Sequence, residues 1–155
     1  MEDFRGFIYT KCLDFSIRIS KLYTFLCNEK KEYVFSKQIL RSGTSIGANL
    51  AEAQYGISKK DFLNKAYVSL KETAETMYWL EVLYRAGHLT DEQFTSMFND
   101  CEELKKLFMS ITKTTKNSLP PQLPVGKVRQ SKSSNSSNVR VRLPDLSLLE
   151  LERVQ

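Results

Sequence analysis

The tightest constraint on this chain is a spacing that recurs in four separate stretches: apolar residues three or four positions apart. In the first stretch Phe4, Ile8, Cys12, Phe15, Ile19, Leu22 and Leu26 keep that rhythm. Such spacing draws one apolar stripe along an α-helix and no continuous face along a strand. Lys11, Asp14, Arg18 and Lys21 fall between the stripe positions and are expected to face water. The second stretch, residues 35–55, sets Phe35, Ile39, Gly43, Ile46, Leu50 and Ala53 in register. The third carries Phe62, Ala66, Ser69, Thr73, Met77, Leu80 and Tyr84, and the fourth Phe94, Met97, Cys101, Leu104, Phe108 and Ile111.

The boundaries between stretches carry their own signals. Ser58-Lys59-Lys60-Asp61 resembles a capping box with Asp in place of Glu or Gln, and Thr90-Asp91-Glu92-Gln93 is a complete one. Gly87 is a C-terminal stop, and the acid- and lysine-rich residues 28–32 read as a connecting loop. Helices of roughly 20–28 residues are ~30–42 Å long, and short connections force consecutive ones antiparallel. The fold predicted is all-α: an antiparallel up-down-up-down four-helix bundle over residues 1–117. Beyond Asn117, Leu119-Pro120-Pro121 cannot continue a helix, and residues 131–138 are a serine- and asparagine-rich run. Residues 118–155 therefore read as a flexible, basic, Pro/Ser-rich tail. Asp145 could cap a short helix over residues 145–154, which would dock on a partner, dock on the bundle or stay loose.

The middle of the second helix is built from small residues: Ser42, Gly43, Thr44, Ser45, Gly47 and Ala48. Two glycines inside a helix cost about 1 kcal/mol each relative to alanine, so a closely approaching backbone is expected to compensate. Gly43, Ser45 and Gly47 are accordingly assigned to a helix–helix or subunit contact. Asn49, Glu52, Ser69 and Glu72 are expected to hydrogen-bond within or between the second and third helices, or to form a polar seam between subunits. Tyr78 and Trp79 point about 100° apart and cannot both serve one narrow stripe, so one of them is expected to touch another subunit.

Composition narrows the function. Hydrophobic residues are 41% and charged residues 26% of the chain, close to the soluble globular norm. The acids in MEDFRGF do not suit a signal peptide, and no apolar run is long enough to span a bilayer, so a cytoplasmic protein is expected. Three cysteines with no CxxC supply neither a disulfide framework nor zinc-ligand spacing; Cys12 and Cys101 lie on apolar stripes. His88, the one histidine, sits in the third turn without a nucleophile pair, and Glu52, Glu72 and Glu75 lack the Glu-x-x-His pattern of a di-metal bundle. No catalytic residue, metal or cofactor is assigned, and the chain is read as a non-enzyme.

Charge points to polyanions. The net charge is +5, with 17 basic and 15 acidic side chains in residues 1–117 and 6 and 3 beyond. Candidates for phosphate contact are Lys11, Arg18 and Lys21 on the first helix, Lys37 and Arg41 on the second, and Lys105, Lys106, Lys113 and Lys116 on the fourth. Lys127, Arg129, Lys132, Arg140 and Arg142 form a run in the tail with no acid among them. In an assembly, weak contacts from each copy would add as avidity.

Gln38, Arg41, Ser45-Ile46, Asn49-Leu50-Ala51-Glu52, Ser58-Lys59-Lys60-Asp61-Phe62, Ala66 and Ser69-Leu70-Lys71-Glu72 together carry a family resemblance. Over about residues 5–115 the chain resembles the bacterial four-helix bundle proteins of the 23S rRNA intervening-sequence type. Their superfamily is shared with the accessory variability determinant (Avd) proteins of diversity-generating retroelements. It departs at Leu40, where Arg is frequent, at Gly47, where Pro is common, and at Ala53, where Gly is common. The resemblance implies a non-enzymatic bundle that assembles into a homo-oligomer, often a pentamer. By that analogy the expected function is a scaffold that binds nucleic acid, RNA or RNA/DNA, as an accessory factor. One alternative is an Avd-type subunit partnered with a reverse transcriptase. Another is a protein–protein interaction module that uses the tail.

Overall fold

The computed structural model describes residues 2–120, with side-chain detail from residue 6 onward. Four helices follow in order: α1 (Glu2–Asn28), α2 (Phe35–Ala53), α3 (Lys59–Arg85) and α4 (Asp91–Asn117). Cross-helix partners establish the antiparallel arrangement, because one residue number falls as the other rises. Lys11 and Arg18 of α1 meet Glu103 and Asp100 of α4, while Arg41 and Glu52 of α2 meet Glu75 and Lys65 of α3. α1 lies between α2 and α4, and α3 closes the square on the opposite corner. No described helix is long and apolar enough to cross a membrane.

On α1, α2 and α4 the expected stripes enter the core from Ile8 onward, with Phe35 and Phe94 half-buried at the starts of their helices. Ile8, Ile19, Leu26, Ile39, Ile46 and Phe108 are almost wholly removed from water. On α3 the buried face departs from the expected one. Leu63, Thr76 and Leu83 are buried, whereas Phe62, Met77 and Tyr84 sit half-buried at its margin. The buried set, Leu63, Ala66, Ser69, Thr73, Thr76, Leu80 and Leu83, is again one stripe of three- and four-residue steps, sharing its middle with the expected one and turned from it at Phe62, Met77 and Tyr84. Tyr84 uses its marginal position to stack on Phe94 of α4, ring centroids 4.4 Å apart.

Helix ends follow the capping logic, with two corrections. Thr90 and Gln93 form the full reciprocal box, Ser58 accepts from the Asp61 N–H, and Gly87 adopts a positive φ of 77°. α2, however, stops at Ala53 rather than Tyr55, because the N–H groups of Gln54, Tyr55 and Gly56 turn back to carbonyls three residues earlier. The loop before α2 is more than a solvated connector. Glu32 is buried, and its carboxylate accepts the N–H groups of Val34, Phe35 and Ser36 at 2.8, 2.8 and 2.6 Å, supplying the N-terminal cap that Val34 cannot. Burial alone would raise the Glu32 carboxyl, but those hydrogen bonds outweigh it and hold the group below its ordinary range.

Candidate nucleic-acid interface

The bundle spends many of its cations internally. Along the α1–α4 seam, Lys11 lies 2.8 Å from Glu103, and Arg18 bonds both Asp100 and the Ser96 hydroxyl. Lys11 and Arg18 are therefore half-buried at the seam, tied to carboxylates while water still reaches them. Below Arg18 the seam opens into a groove of about 500 Å³ lined by Leu22, Phe25, Gln93, Ser96 and Met97. On α2, Arg41 pairs with Glu75, and its Nη1 stands 3.8 Å from the Glu72 Oε2. That oxygen is buried with no hydrogen bond among the described residues, so the neighbouring guanidinium is its electrostatic compensation. Lys106 pairs with Glu102 one turn earlier.

Lys21, Lys37, Lys105, Lys113 and Lys116 make no ion pair among the described residues. Three of these five are on α4: Lys113 and Lys116 are exposed, and Lys105 is half-buried, with exposed Lys106 beside it. Lys127, Arg129, Lys132, Arg140 and Arg142 lie outside the described residues, as does the short helix expected over residues 145–154.

Of the residues assigned to contacts between α2 and α3, Ser69 joins a polar ladder whose other rung, Thr76 with Ser42, was not assigned. Ser69 donates to the Ile46 carbonyl at 3.0 Å, and Thr76 donates to the Ser42 hydroxyl at 3.0 Å, both wholly buried. Glu52 pairs with Lys65 at the outer edge, while Asn49 turns inward on its own helix to the Ser45 carbonyl. On the other flank of α2, the glycines let α1 approach. A Cβ on Gly43 would stand 2.7–2.9 Å from three carbons of Ile19, and one on Gly47 would stand 3.3 Å from the Cys12 Cβ. Trp79 is half-buried, stacking on Phe35 and donating Nε1–H to Glu75, whereas Tyr78 is 59% exposed.

One surface was not read from the sequence. Tyr9, Leu13 and Ile17 of α1, four residues apart, expose 40%, 49% and 47% of their area. Thr44, Ala48 and Ala51 flank Gly47 on α2, so this part of the helix is small and uncharged, with the exposed Lys37 and Arg41 nearer its start. The signal was present as a second i, i+4 apolar row beside the stronger first one.

The remaining reactive side chains are quiet. Burial pushes the Cys12 and Cys101 thiols up to about 12, which leaves almost no thiolate at neutral pH. Cys101 donates to the Thr73 carbonyl, and Cys27 is half-buried beside the Ser36 hydroxyl. Among the described residues no three His, Cys, Asp or Glu side chains converge as a metal cluster. His88 is half-buried in the α3–α4 turn, where its N–H closes α3 on the Leu83 carbonyl.

Short loops, an antiparallel square of four helices, a glycine-mediated α1–α2 contact and a hydroxyl ladder between α2 and α3 define a class of small helical-bundle protein. The model of the 23S rRNA-intervening sequence protein family matches residues 7–110, and the chain belongs to that family. It is also similar to a crystal structure of a protein of unknown function from the S23 ribosomal protein family of Bacteroides thetaiotaomicron. The two are 53% identical; the match covers 71% of this chain and 98% of that one, with a TM-score of 0.70. Among curated proteins none matches.

Proposed function

We propose that this protein is a non-catalytic, homo-oligomeric bundle that binds RNA as an accessory factor. The observation that carries the reading is the division of its cations. Those on α1 and α2 that meet carboxylates hold helices together, while Lys105, Lys113 and Lys116 on α4 remain unpaired and exposed or half-exposed among the described residues. Unpaired lysines in a row release counterions when they meet phosphates, which gives affinity without sequence readout. The family's description, tied to an interruption in 23S rRNA, supports RNA over other polyanions. Self-association is supported by the exposed apolar row Tyr9, Leu13 and Ile17 on α1, since apolar area of this kind is stabilised by burial against a like surface. Buried, protonated thiols and an unaccompanied histidine support the absence of a catalytic role.

A mobility-shift titration with RNA over a series of salt concentrations tests the proposal. Binding is expected to weaken steeply as salt rises, with each phosphate contact contributing a logarithmic slope of about −0.7 on single strands. Replacing Lys105, Lys113 and Lys116 by alanine is expected to flatten that slope, and removal of residues 118–155 to weaken binding further. Salt-independent binding, or none at low salt, refutes the reading. Mass measurement in solution on the same samples tests the oligomer, and a single-copy particle at high concentration refutes that part.

A further inference from the structure

The end of the bundle formed by the α2–α3 turn and the last turn of α4 combines features found together nowhere else among the described residues. Tyr55 and Ile57, in the turn, are 87% and 97% exposed, the most exposed of the large apolar side chains described. Ile57 lines a groove of about 530 Å³ whose walls also include Gln54 and Gly56 on either side of Tyr55 in the chain, Phe62 on α3, and Thr114, Thr115 and Ser118 at the end of α4. Lys59 and Lys60 open α3, and Lys113 and Lys116 close α4. All four are exposed, and none makes an ion pair among the described residues. Among the residues whose side chains are described, the nearest acids in sequence are otherwise engaged. Glu52 is engaged by Lys65, and Asp61 is half-buried, folded toward Gly56 of the turn.

We propose that this end is a binding site for single-stranded RNA, with an unpaired base stacked on Tyr55 and the flanking phosphates held by Lys59, Lys60, Lys113 and Lys116. The proposal rests on the RNA-binding reading above and gives it a place and a substrate form. Charge complementarity selects the occupant. A second copy of the chain, docked end to end, would set four lysines against four lysines. A polyanion neutralises them. The form follows from Tyr55, because an exposed ring gains stacking only from a base that is not already stacked in a duplex. Proteins that bind single strands combine this pairing of aromatic platform and cationic rim, and tolerate any sequence because every base has a π-face.

The test uses the full chain with a labelled 12-nucleotide oligouridine and, in parallel, an RNA duplex of the same length, read by fluorescence anisotropy. Tyr55→Ala is expected to weaken oligouridine binding roughly five- to a hundred-fold and leave duplex binding unchanged, with Tyr55→Phe close to wild type. Lys59→Ala with Lys60→Ala is expected to lower the salt slope by about 0.7 per lysine lost. Circular dichroism on each variant checks that the bundle is intact, as the exposure of these side chains leads one to expect. If wild type binds RNA in a salt-dependent way but is indifferent to all these changes, the site is overturned while the general RNA reading stands. If wild type binds no RNA at low salt, both fall. If Tyr55→Ala or Ile57→Ala instead lowers the mass of the particle in solution, the patch is a subunit contact and the proposal is overturned.

Discussion

Replacing Gly43 with alanine isolates what the small residues of α2 do. Helix propensity alone favours alanine by about 1 kcal/mol. Against that, the new Cβ would meet Ile19 Cγ1 at 2.7 Å and Cδ1 and Cγ2 at 2.9 Å. Two of those carbons are bonded directly to the Ile19 Cβ, on a β-branched side chain with a stiff χ1, and the residue is fully buried. It cannot swing aside, so α1 and α2 must separate. Overpacking of this sort costs ~1–3 kcal/mol, and the triple contact puts Gly43 in the upper half of that range. The expected net effect is a loss of about 1–2 kcal/mol. Ile19→Ala costs roughly 2–5 kcal/mol by itself, but it removes all three clashing carbons. In that background Gly43→Ala should stabilise by about 1 kcal/mol, a reversal of sign that only a direct contact produces. Urea unfolding followed by circular dichroism measures the cycle, at one protein concentration because association adds to apparent stability. Gly6→Ala, with open space around the new Cβ, should stabilise slightly, and Gly47→Ala should fall between the two. Stabilisation by Gly43→Ala in the wild-type background, or an equal effect in both, would sink the close-approach account.

Glu32→Gln should cost about 1 kcal/mol at neutral pH by weakening the cap on α2. Because the native carboxyl titrates below its ordinary range, its contribution is complete above that range and fades as pH falls through the native value. The gap between wild type and Glu32→Gln, followed by urea midpoints, should therefore close in acid; a constant gap contradicts the cap. A thiol reagent at mildly alkaline pH should modify Cys27 in the folded protein and reach Cys12 and Cys101 only in denaturant, which thiol counting by mass spectrometry would show. Arg18→Ala should destabilise by no more than about 1 kcal/mol at low salt, since both partners in the pair are more than one-third exposed. A loss that persisted in molar salt would mean the residue acts by packing.

The architecture was legible because local signals agreed. Along α1, α2 and α4 the expected stripe residues from Ile8 onward are buried except Phe35 and Phe94, which are half-buried at the helix starts, and Thr90 and Gln93 formed the box that their spacing implies. α3 shows where periodicity stops being sufficient. Two stripes of helical spacing pass through Ala66, Ser69, Thr73 and Leu80, and nothing in the spacing of Phe62, Met77 and Tyr84 says that Leu63, Thr76 and Leu83 lie deeper. Glu32 was unreadable for a different reason. A carboxylate in a run of lysines looks solvated, and its burial depends on the tertiary path of the loop through Lys31, whose φ is 53°. The cations posed the same difficulty. Helical spacing put Lys11, Arg18 and Arg41 off the core, but which of them would meet a carboxylate depended on which helix came to lie alongside.

α1 is gripped differently on its two flanks. Toward α2 it is pressed against glycines, a contact that dissolved ions do not touch; toward α4 its outer edge is latched by charges that water reaches. Ionic strength thus acts on this helix from one side. Dissolved salt screens the charged edge nearest α4 and leaves the contact with the glycines as it is.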